Sequence, residues 1–187
     1  MVRDSQATRG RLLDAAHEEF ARHGLAGARV ARIAQSAGAN KQLIYAYFGD
    51  KVGLFDAVLA RQQTDVLQAV PLDPADVVGY VGTLFDYIAD HPDVMRLAAW
   101  KKLERPATAD GIGSLGWMNE LVRAREDGQI AASFDARNLE LLLFGLASSW
   151  DVLSLEGTSE VCHETGNASR ARFRRDLLEA ARRIIQP

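Results

Sequence analysis

Apolar side chains recur every three or four residues along most of the chain, which is the spacing of one face of an α-helix. This spacing is present at residues 13–20, at residues 30–37 and at residues 54–59. No segment shows the sustained two-residue alternation of a half-buried strand. The sequence therefore predicts an all-α protein.

Glycine and proline residues divide this pattern into about nine helices. Breaks at Gly24, Gly27, Gly38 and Gly49 delimit three short helices before Lys51. A longer fourth helix is predicted to run to about residue 69. Later helices are predicted at about residues 76–89, 92–103, 112–126, 136–155 and 169–185, with a mobile loop over residues 156–168.

The net charge of −3 conceals a difference between the two ends of the chain. Residues 1–51 carry eight lysines and arginines against five acids, a net of +3. The other 136 residues carry 14 basic and 20 acidic side chains, a net of −6. A basic end is a weak indication of contact with nucleic acid or a membrane.

Cysteine content and hydropathy limit the compartment and the chemistry. The chain has one cysteine, Cys162, and neither a CxxC pair nor a signal sequence, which favours a cytoplasmic protein. Its longest apolar run, around residues 141–146, is too short to span a bilayer. Cys162, His163 and Glu164 are adjacent and cannot easily converge on one atom, so we expect no enzyme activity, metal site or cofactor.

The residues between the second and third predicted helices suggest a helix-turn-helix. Ala34 provides a small side chain where two helices cross, and Gly38, four positions later, tolerates a positive φ. Ile44 follows after six residues and can pack onto the first helix of the pair. Asn40 is suited to cap a helix over Lys41–Phe48. Spacing alone also allows a generic helical hairpin.

Residues 33–51, with the sequence IAQSAGANKQLIYAYFGDK, resemble the DNA-binding region of the TetR/AcrR family of transcriptional regulators. The family pattern is close to I-A-x-x-A-G-V-S-x-x-x-L-Y-x-Y-F-x-x-K, and residues 10–20 resemble the first helix of that family. The resemblance implies a DNA-binding three-helix bundle over residues 1–51. It also implies a larger ligand-binding and dimerisation domain over residues 52–187.

In such a motif the start of the recognition helix enters the major groove. Lys41 can donate to guanine and Gln42 can pair with adenine, while Tyr45 can contact a thymine methyl or a phosphate. The resemblance implies that Tyr47 and Lys51 are phosphate anchors. The full set of predicted DNA-contacting residues is Arg29, Arg32, Asn40, Lys41, Gln42, Leu43, Tyr45, Tyr47 and Lys51.

Several of these assignments have plainer alternatives. Arg29 and Arg32 could be solvated surface charges, and Tyr45 could belong to the core, as could Phe48. The family usually has threonine near Ala28 and Arg29, so the cap of the second helix is either weaker here or supplied by another group. Leu43 lies where the family often has a hydroxyl, which removes one expected backbone contact.

The last two long helices resemble the pair that forms the family's four-helix dimer interface. Their apolar side chains populate more than one face, although both helices could instead be wholly internal. Arginines 170, 172, 174, 175, 182 and 183 would form the rim of such an interface. The predicted dimer residues are Leu143, Trp150, Phe173, Leu177 and Ile184.

Bulky side chains in the middle helices suit either a core or an apolar, aromatic-lined ligand cavity of the kind the family encloses. The predicted effector is accordingly a small hydrophobic or aromatic molecule, and its binding would shift the population away from the DNA-binding state. The predicted ligand-binding residues are Phe85, Trp100, Trp117, Met118, Leu121, Phe144 and Ser148.

The resemblance therefore implies a dimeric regulator, by family habit a repressor, whose partners are a palindromic double-stranded operator and a small-molecule effector. No membrane partner is expected. The alternative is an all-helical carrier of small molecules, or a scaffold, that does not bind DNA.

Overall fold

The computed structural model describes residues 2–105, 117–131, 134–153 and 167–186. These parts of the chain contain nine α-helices and no β-strand, which confirms the predicted all-α class. A single turn of 3-10 helix, Pro74–Asp76, precedes α5. The helices are α1 (Val2–Gly27), α2 (Val30–Ser36), α3 (Lys41–Phe48), α4 (Lys51–Ala69), α5 (Val77–Asp90), α6 (Asp93–Glu104), α7 (Met118–Glu126), α8 (Ala136–Leu153) and α9 (Asn167–Ile185).

Several predicted boundaries moved. Helix α1 begins well before residue 10, and the break predicted at Gly24 is a kink within it, where φ is +66°. The predicted start of α7 at residue 112 lies outside the described residues, as do most of the predicted loop over 156–168 and the Cys162 segment. None of the described helices combines the length and apolar character needed to cross a membrane.

The helices form two compact units. The first contains α1, α2, α3, α4 as far as Asp65, and α6; the second contains the end of α4 together with α5, α7, α8 and α9. The first unit is therefore larger than the DNA-binding domain predicted over residues 1–51. It gains α6, which packs along α1 although about 40 residues separate it from α3.

The core of the first unit is built by the periodic apolar residues. Phe20 of α1, Ile33 of α2, Ile44 of α3 and Phe55 of α4 are all completely buried. The rings of Phe20 and Phe55 meet edge to face, with their centroids 5.0 Å apart. One shared core thus fixes the mutual arrangement of these four helices.

Helix α5 is the centre of the second unit, where it packs against both α8 and α9. Phe85 is completely buried, and its ring stacks on that of Phe173 at 5.9 Å. Phe173 in turn contacts Trp150 of α8 at 5.2 Å. Aromatic contacts therefore join α5, α8 and α9.

Candidate nucleic-acid interface and effector site

The connection between α2 and α3 has the geometry of a helix-turn-helix. Gly38 has a φ of +59°, and the amide of Ala39 donates to the carbonyl of Ala34 at 2.9 Å. The Asn40 side chain accepts from the amide of Gln42 at 3.0 Å, so it caps α3 as predicted. The predicted α3 bounds and the burial of Ile44 are confirmed as well.

Helix α3 presents a polar face at its N-terminal end. Lys41 and Gln42 are exposed in its first turn, and Tyr45 follows one turn later with about half of its surface exposed. Leu43 is half-buried and packs against the core beside Ile44. The exposed side chains can donate hydrogen bonds, accept them and make apolar contacts, as reading base edges requires.

The end of α3 is held by the beginning of α1. The hydroxyl groups of Tyr47 and Ser5 are 2.9 Å apart, within hydrogen-bonding distance. Phe48 is half-buried against the core, and the Arg9 guanidinium lies 5.2 Å from its ring centroid. Tyr47 thus has an internal partner in addition to its predicted phosphate contact.

Arg32 binds an acid within the same unit. Its Nε donates to Glu19 Oε1 at 2.8 Å, and its terminal nitrogen donates to the carbonyl of Gly27 at 3.2 Å. The same carboxylate accepts from the amide of Arg29 at 2.8 Å. Glu19 therefore satisfies the amide of Arg29, the N-cap residue of α2, whose own side chain makes no capping bond. The predicted backbone contact by Arg32 competes with this ion pair.

The pKa of Glu19 reflects these contacts. Burial raises the pKa of its carboxyl, but the hydrogen bonds from Arg32 and from the Arg29 amide outweigh burial and hold it below its usual value. A lowered folded-state pKa stabilises the fold above the ordinary glutamate pKa. That contribution is lost as the pH falls through the folded-state value.

Lys51 also points inward. Its Nζ donates to the carbonyl of Ala26 at 3.3 Å and to that of Ala28 at 3.2 Å. Ala26 lies in the last turn of α1, and Ala28 lies in the link between α1 and α2. Lys51 is thus a clamp on this turn, which sequence reasoning did not foresee.

The predicted ligand-binding residues other than Trp100 lie in the second unit. Phe85, Trp117 and Leu121 are buried, while Met118 and Phe144 are half-buried. Ser148 is buried, and its hydroxyl donates to the carbonyl of Phe144 at 2.8 Å, so its proton is already used within α8.

Trp100 is the one predicted ligand-binding residue that lies outside the second unit. It lies in the first unit, where its indole Nε1 donates to the carbonyl of Ala21 at 3.3 Å and its ring lies against Gly24. The kink at Gly24 makes room for the ring because glycine has no side chain there.

The second unit also buries polar atoms without a hydrogen-bond partner among the described residues. They include the Tyr80 hydroxyl and the Trp117 indole nitrogen, whose rings meet edge to face at 4.8 Å. The buried Glu140 carboxylate accepts from the Trp117 amide at 3.4 Å. Burial and the Glu140 charge raise the pKa of Tyr80, so its phenol keeps its proton. The unsatisfied polar atoms of Tyr80 and Trp117 were not predicted, because nothing in the local sequence indicates that a buried donor lacks a partner.

The predicted dimer residues divide into two groups. Leu143 and Leu177 are buried within the chain's own second unit, so their assignment to a dimer surface is wrong. Trp150, Phe173 and Ile184 are half-buried. Among the residues of α8 whose burial is described, the exposed large apolar ones are instead Leu141 and Leu142, followed by exposed Gly145.

The arginine rim predicted on α9 is partly internal. Arg170 donates to Asp90 at 2.6 Å, and Arg174 donates to Asp86 at 2.7 Å. The hydrogen bond from Arg170 lowers the pKa of Asp90 despite its exposure to solvent. These two arginines therefore hold α9 to α5.

Comparison with known families agrees with this geometry. Residues 12–58 match the bacterial regulatory proteins of the tetR family, and residues 76–183 match the tetracyclin repressor-like C-terminal domain. The chain belongs to the TetR family. It is a helix-turn-helix transcriptional regulator, and the first match covers all of α2 and α3.

Individual relatives support the same assignment. The HTH-type transcriptional repressor SCO4008 of Streptomyces coelicolor is 40% identical over 98% of both chains. The repressor NicS of Pseudomonas putida is 34% identical over 56% of this chain and 53% of its own length. The crystal structure of the regulator SCO4942 from Streptomyces coelicolor is 37% identical, covers 96% of this chain and 99% of its own, and has a TM-score of 0.80.

The position of Lys51 in this TetR-family protein gives a testable prediction. Replacing it with methionine (Lys51→Met) removes an internal clamp, so we expect operator affinity to fall about tenfold at every salt concentration. The slope of log affinity against log salt should stay at the wild-type value, because no phosphate contact is lost. Titration of labelled operator at several salt concentrations measures both quantities.

Lys41→Met is the matched control, since Lys41 is exposed on α3. Its operator affinity should fall because a base contact is lost, whereas the loss of one neutralised phosphate on duplex DNA would lower the salt slope by about 0.9. A fall of that size in Lys51→Met would contradict the clamp and restore the predicted phosphate contact.

Proposed function

We propose that this TetR-family regulator is a repressor that binds a palindromic operator as a homodimer and is released by a small-molecule effector. The observation that carries the proposal is the capped helix α3, with Lys41, Gln42 and Tyr45 exposed on one face. A cytoplasmic location follows from the proposal, because operator DNA lies in the bacterial cytoplasm.

Repression is supported by the relatives SCO4008 and NicS, both of which are named as HTH-type repressors. A carrier or scaffold without DNA binding is less favoured. Such a protein would have no need of an exposed lysine and glutamine on a helix whose other side is packed into a core.

The proposed DNA contacts come from the predicted set of residues, but the residues have different roles. Lys41, Gln42 and Tyr45 would read bases, and Tyr47 and Arg29 would contact the backbone. The capping role of Asn40 and the packing of Leu43 make both residues supports of the reading face. Arg32 and Lys51 act mainly inside the protein, through the bonds described above.

The proposed dimer uses the exposed side of α8. Leu141 and Leu142 present apolar surface there, and Gly145 has open space around the position of a Cβ. A small residue beside two leucines lets a second helix approach closely. Trp150 and Phe173 would border this contact and Ile184 would extend it along α9.

The proposed effector site lies among Tyr80, Trp117, Leu121 and Phe144. An unsatisfied buried polar group costs about 1–3 kcal/mol, so a ligand that supplies its partner gains affinity. The Tyr80 hydroxyl and the Trp117 indole are both donors. We therefore propose an aromatic effector that carries a hydrogen-bond acceptor, which narrows the predicted hydrophobic or aromatic effector.

The operator proposal predicts the behaviour of a Gln42→Ala variant. Loss of a bidentate base contact costs about 1–3 kcal/mol of discrimination, so the variant should bind the operator about 5- to 150-fold more weakly. It should also tolerate a changed base pair at one position in each half-site. Mobility-shift titration against the operator and its single-base variants measures this.

The matched control is Gln68→Ala, which removes an exposed glutamine from α4. It should bind like the wild type. Equal losses for the two variants, or no shift of upstream DNA by the wild type at low salt, would count against the regulator.

The dimer proposal predicts that Leu142→Glu yields a monomer. The new charge would be buried against the partner helix, where an uncompensated carboxylate is strongly unfavourable. Light scattering coupled to gel filtration should give the mass of one chain, against twice that mass for the wild type. Leu103→Glu, at a leucine of α6 that is 72% exposed, is the control and should remain dimeric. A dimeric Leu142→Glu would exclude this face.

The effector proposal predicts opposite effects of Tyr80→Phe on the ligand-free and ligand-bound protein. Without ligand, removing an unpartnered hydroxyl should leave the melting temperature unchanged or raise it. With a panel of aromatic compounds, those with an acceptor group should stabilise the wild type more than the variant. Hydrocarbon analogues without an acceptor should stabilise the wild type and the variant equally. If the acceptor compounds also stabilise the two proteins equally, Tyr80 does not bind the effector.

A further inference from the structure

The last turn of α1, residues 24–27, is held by a side chain from α6. After the kink at Gly24, the amides of Leu25 and Ala26 begin a new turn of helix, and both donate to the Glu104 carboxylate. The distance from the Ala26 amide is 3.1 Å. Glu104 thus caps this turn from a helix about 80 residues away in sequence.

The opposite end of the same turn is held by a positive charge. Lys51 Nζ donates to the carbonyls of Ala26 and Ala28. An acid at the start and a lysine at the end match the dipole of the helical turn between them. The turn therefore has charged partners at both ends.

Helix α6 also fits closely against the kink itself. A Cβ built on Gly24 would lie 2.7 Å from Cε3 of Trp100 and 2.9 Å from Oε1 of Glu104. Both distances are shorter than real Cβ contacts, so α6 leaves room only for glycine. Arg105, just after α6, binds Asp56 of α4 and adds a second attachment.

The turn determines where α2 starts. Only Ala28 and Arg29 separate it from Val30, the first residue of α2. Helix α2 has no side-chain cap of its own at that N-terminus. The way the turn is held is therefore a further constraint on the position of α2, and with it of α3, beside the shared core and the Glu19 bond to the Arg29 amide.

We propose that Glu104 is a positioning residue for operator recognition. By fixing the Leu25 and Ala26 amides it sets the orientation of the helix-turn-helix, without touching DNA. This inference rests on the proposed function, since it needs an operator to be bound.

The test is operator affinity of full-length Glu104→Ala, and the sign of the effect separates two explanations. Removing an acid makes the first unit more basic, so long-range electrostatics alone would tighten DNA binding. Loss of positioning would instead weaken it, and we expect affinity to fall about tenfold.

Glu104→Gln tests how much of the change in operator affinity comes from the charge of Glu104. Its amide oxygen keeps one acceptor but loses the charge, so we expect an affinity between those of the wild type and Glu104→Ala. A charge effect alone would make both variants bind equally and more tightly than the wild type. The control Glu18→Ala removes an acid of α1 whose side chain is 70% exposed, and it should bind as well as the wild type or slightly better.

Amide hydrogen exchange provides a structural readout on the same proteins. The Leu25 and Ala26 amides should be protected in the wild type and exchange faster in Glu104→Ala, with the core of the unit unchanged. Wild-type protein that does not bind operator would overturn the proposed function. Wild-type binding together with unchanged or tighter binding by both Glu104 variants would overturn this inference alone.

Discussion

Charged side chains hold the backbone at the end of α1 and in the link to α2. The geometry of the helix-turn-helix formed by α2 and α3 depends on these contacts together with the shared core. The carboxylates of Glu19 and Glu104 accept hydrogen bonds from backbone amides of this segment, while Arg32 and Lys51 donate hydrogen bonds to its carbonyls. These bonds satisfy helix-end groups that would otherwise lack partners. Arg32 and Lys51, both predicted from the sequence to contact DNA, thus also bind groups within the protein.

This internal use changes how the charge distribution is interpreted. The excess of basic side chains over residues 1–51 indicated contact with nucleic acid, and the family assignment supports that conclusion. Arg32 and Lys51 contribute to this excess and also bind groups within the protein, Arg32 the Glu19 carboxylate and Lys51 the carbonyls of Ala26 and Ala28. Of the predicted DNA contacts, Lys41, Gln42 and Tyr45 are the ones that α3 exposes together.

Local features of the site were predictable from sequence, and distant ones were not. The bounds of α3, its Asn40 cap and the positive φ of Gly38 depend on residues within one or two turns. The bond from Trp100 to the Ala21 carbonyl was not predicted, because the two residues are 79 positions apart in sequence. Helical spacing also predicts an apolar stripe without saying what covers it, so Leu143 was assigned to a partner although it faces its own core.

If this chain reads operator DNA through a pair of α3 helices, a footprint of the DNA around its own gene should reveal both of them. Two protected segments related by two-fold symmetry should appear, with centres about 34–36 Å apart along the duplex. Protection should disappear as salt is raised, because phosphate contacts release counterions. A single unrepeated segment, or no protection at low salt, would contradict recognition by a pair of α3 helices.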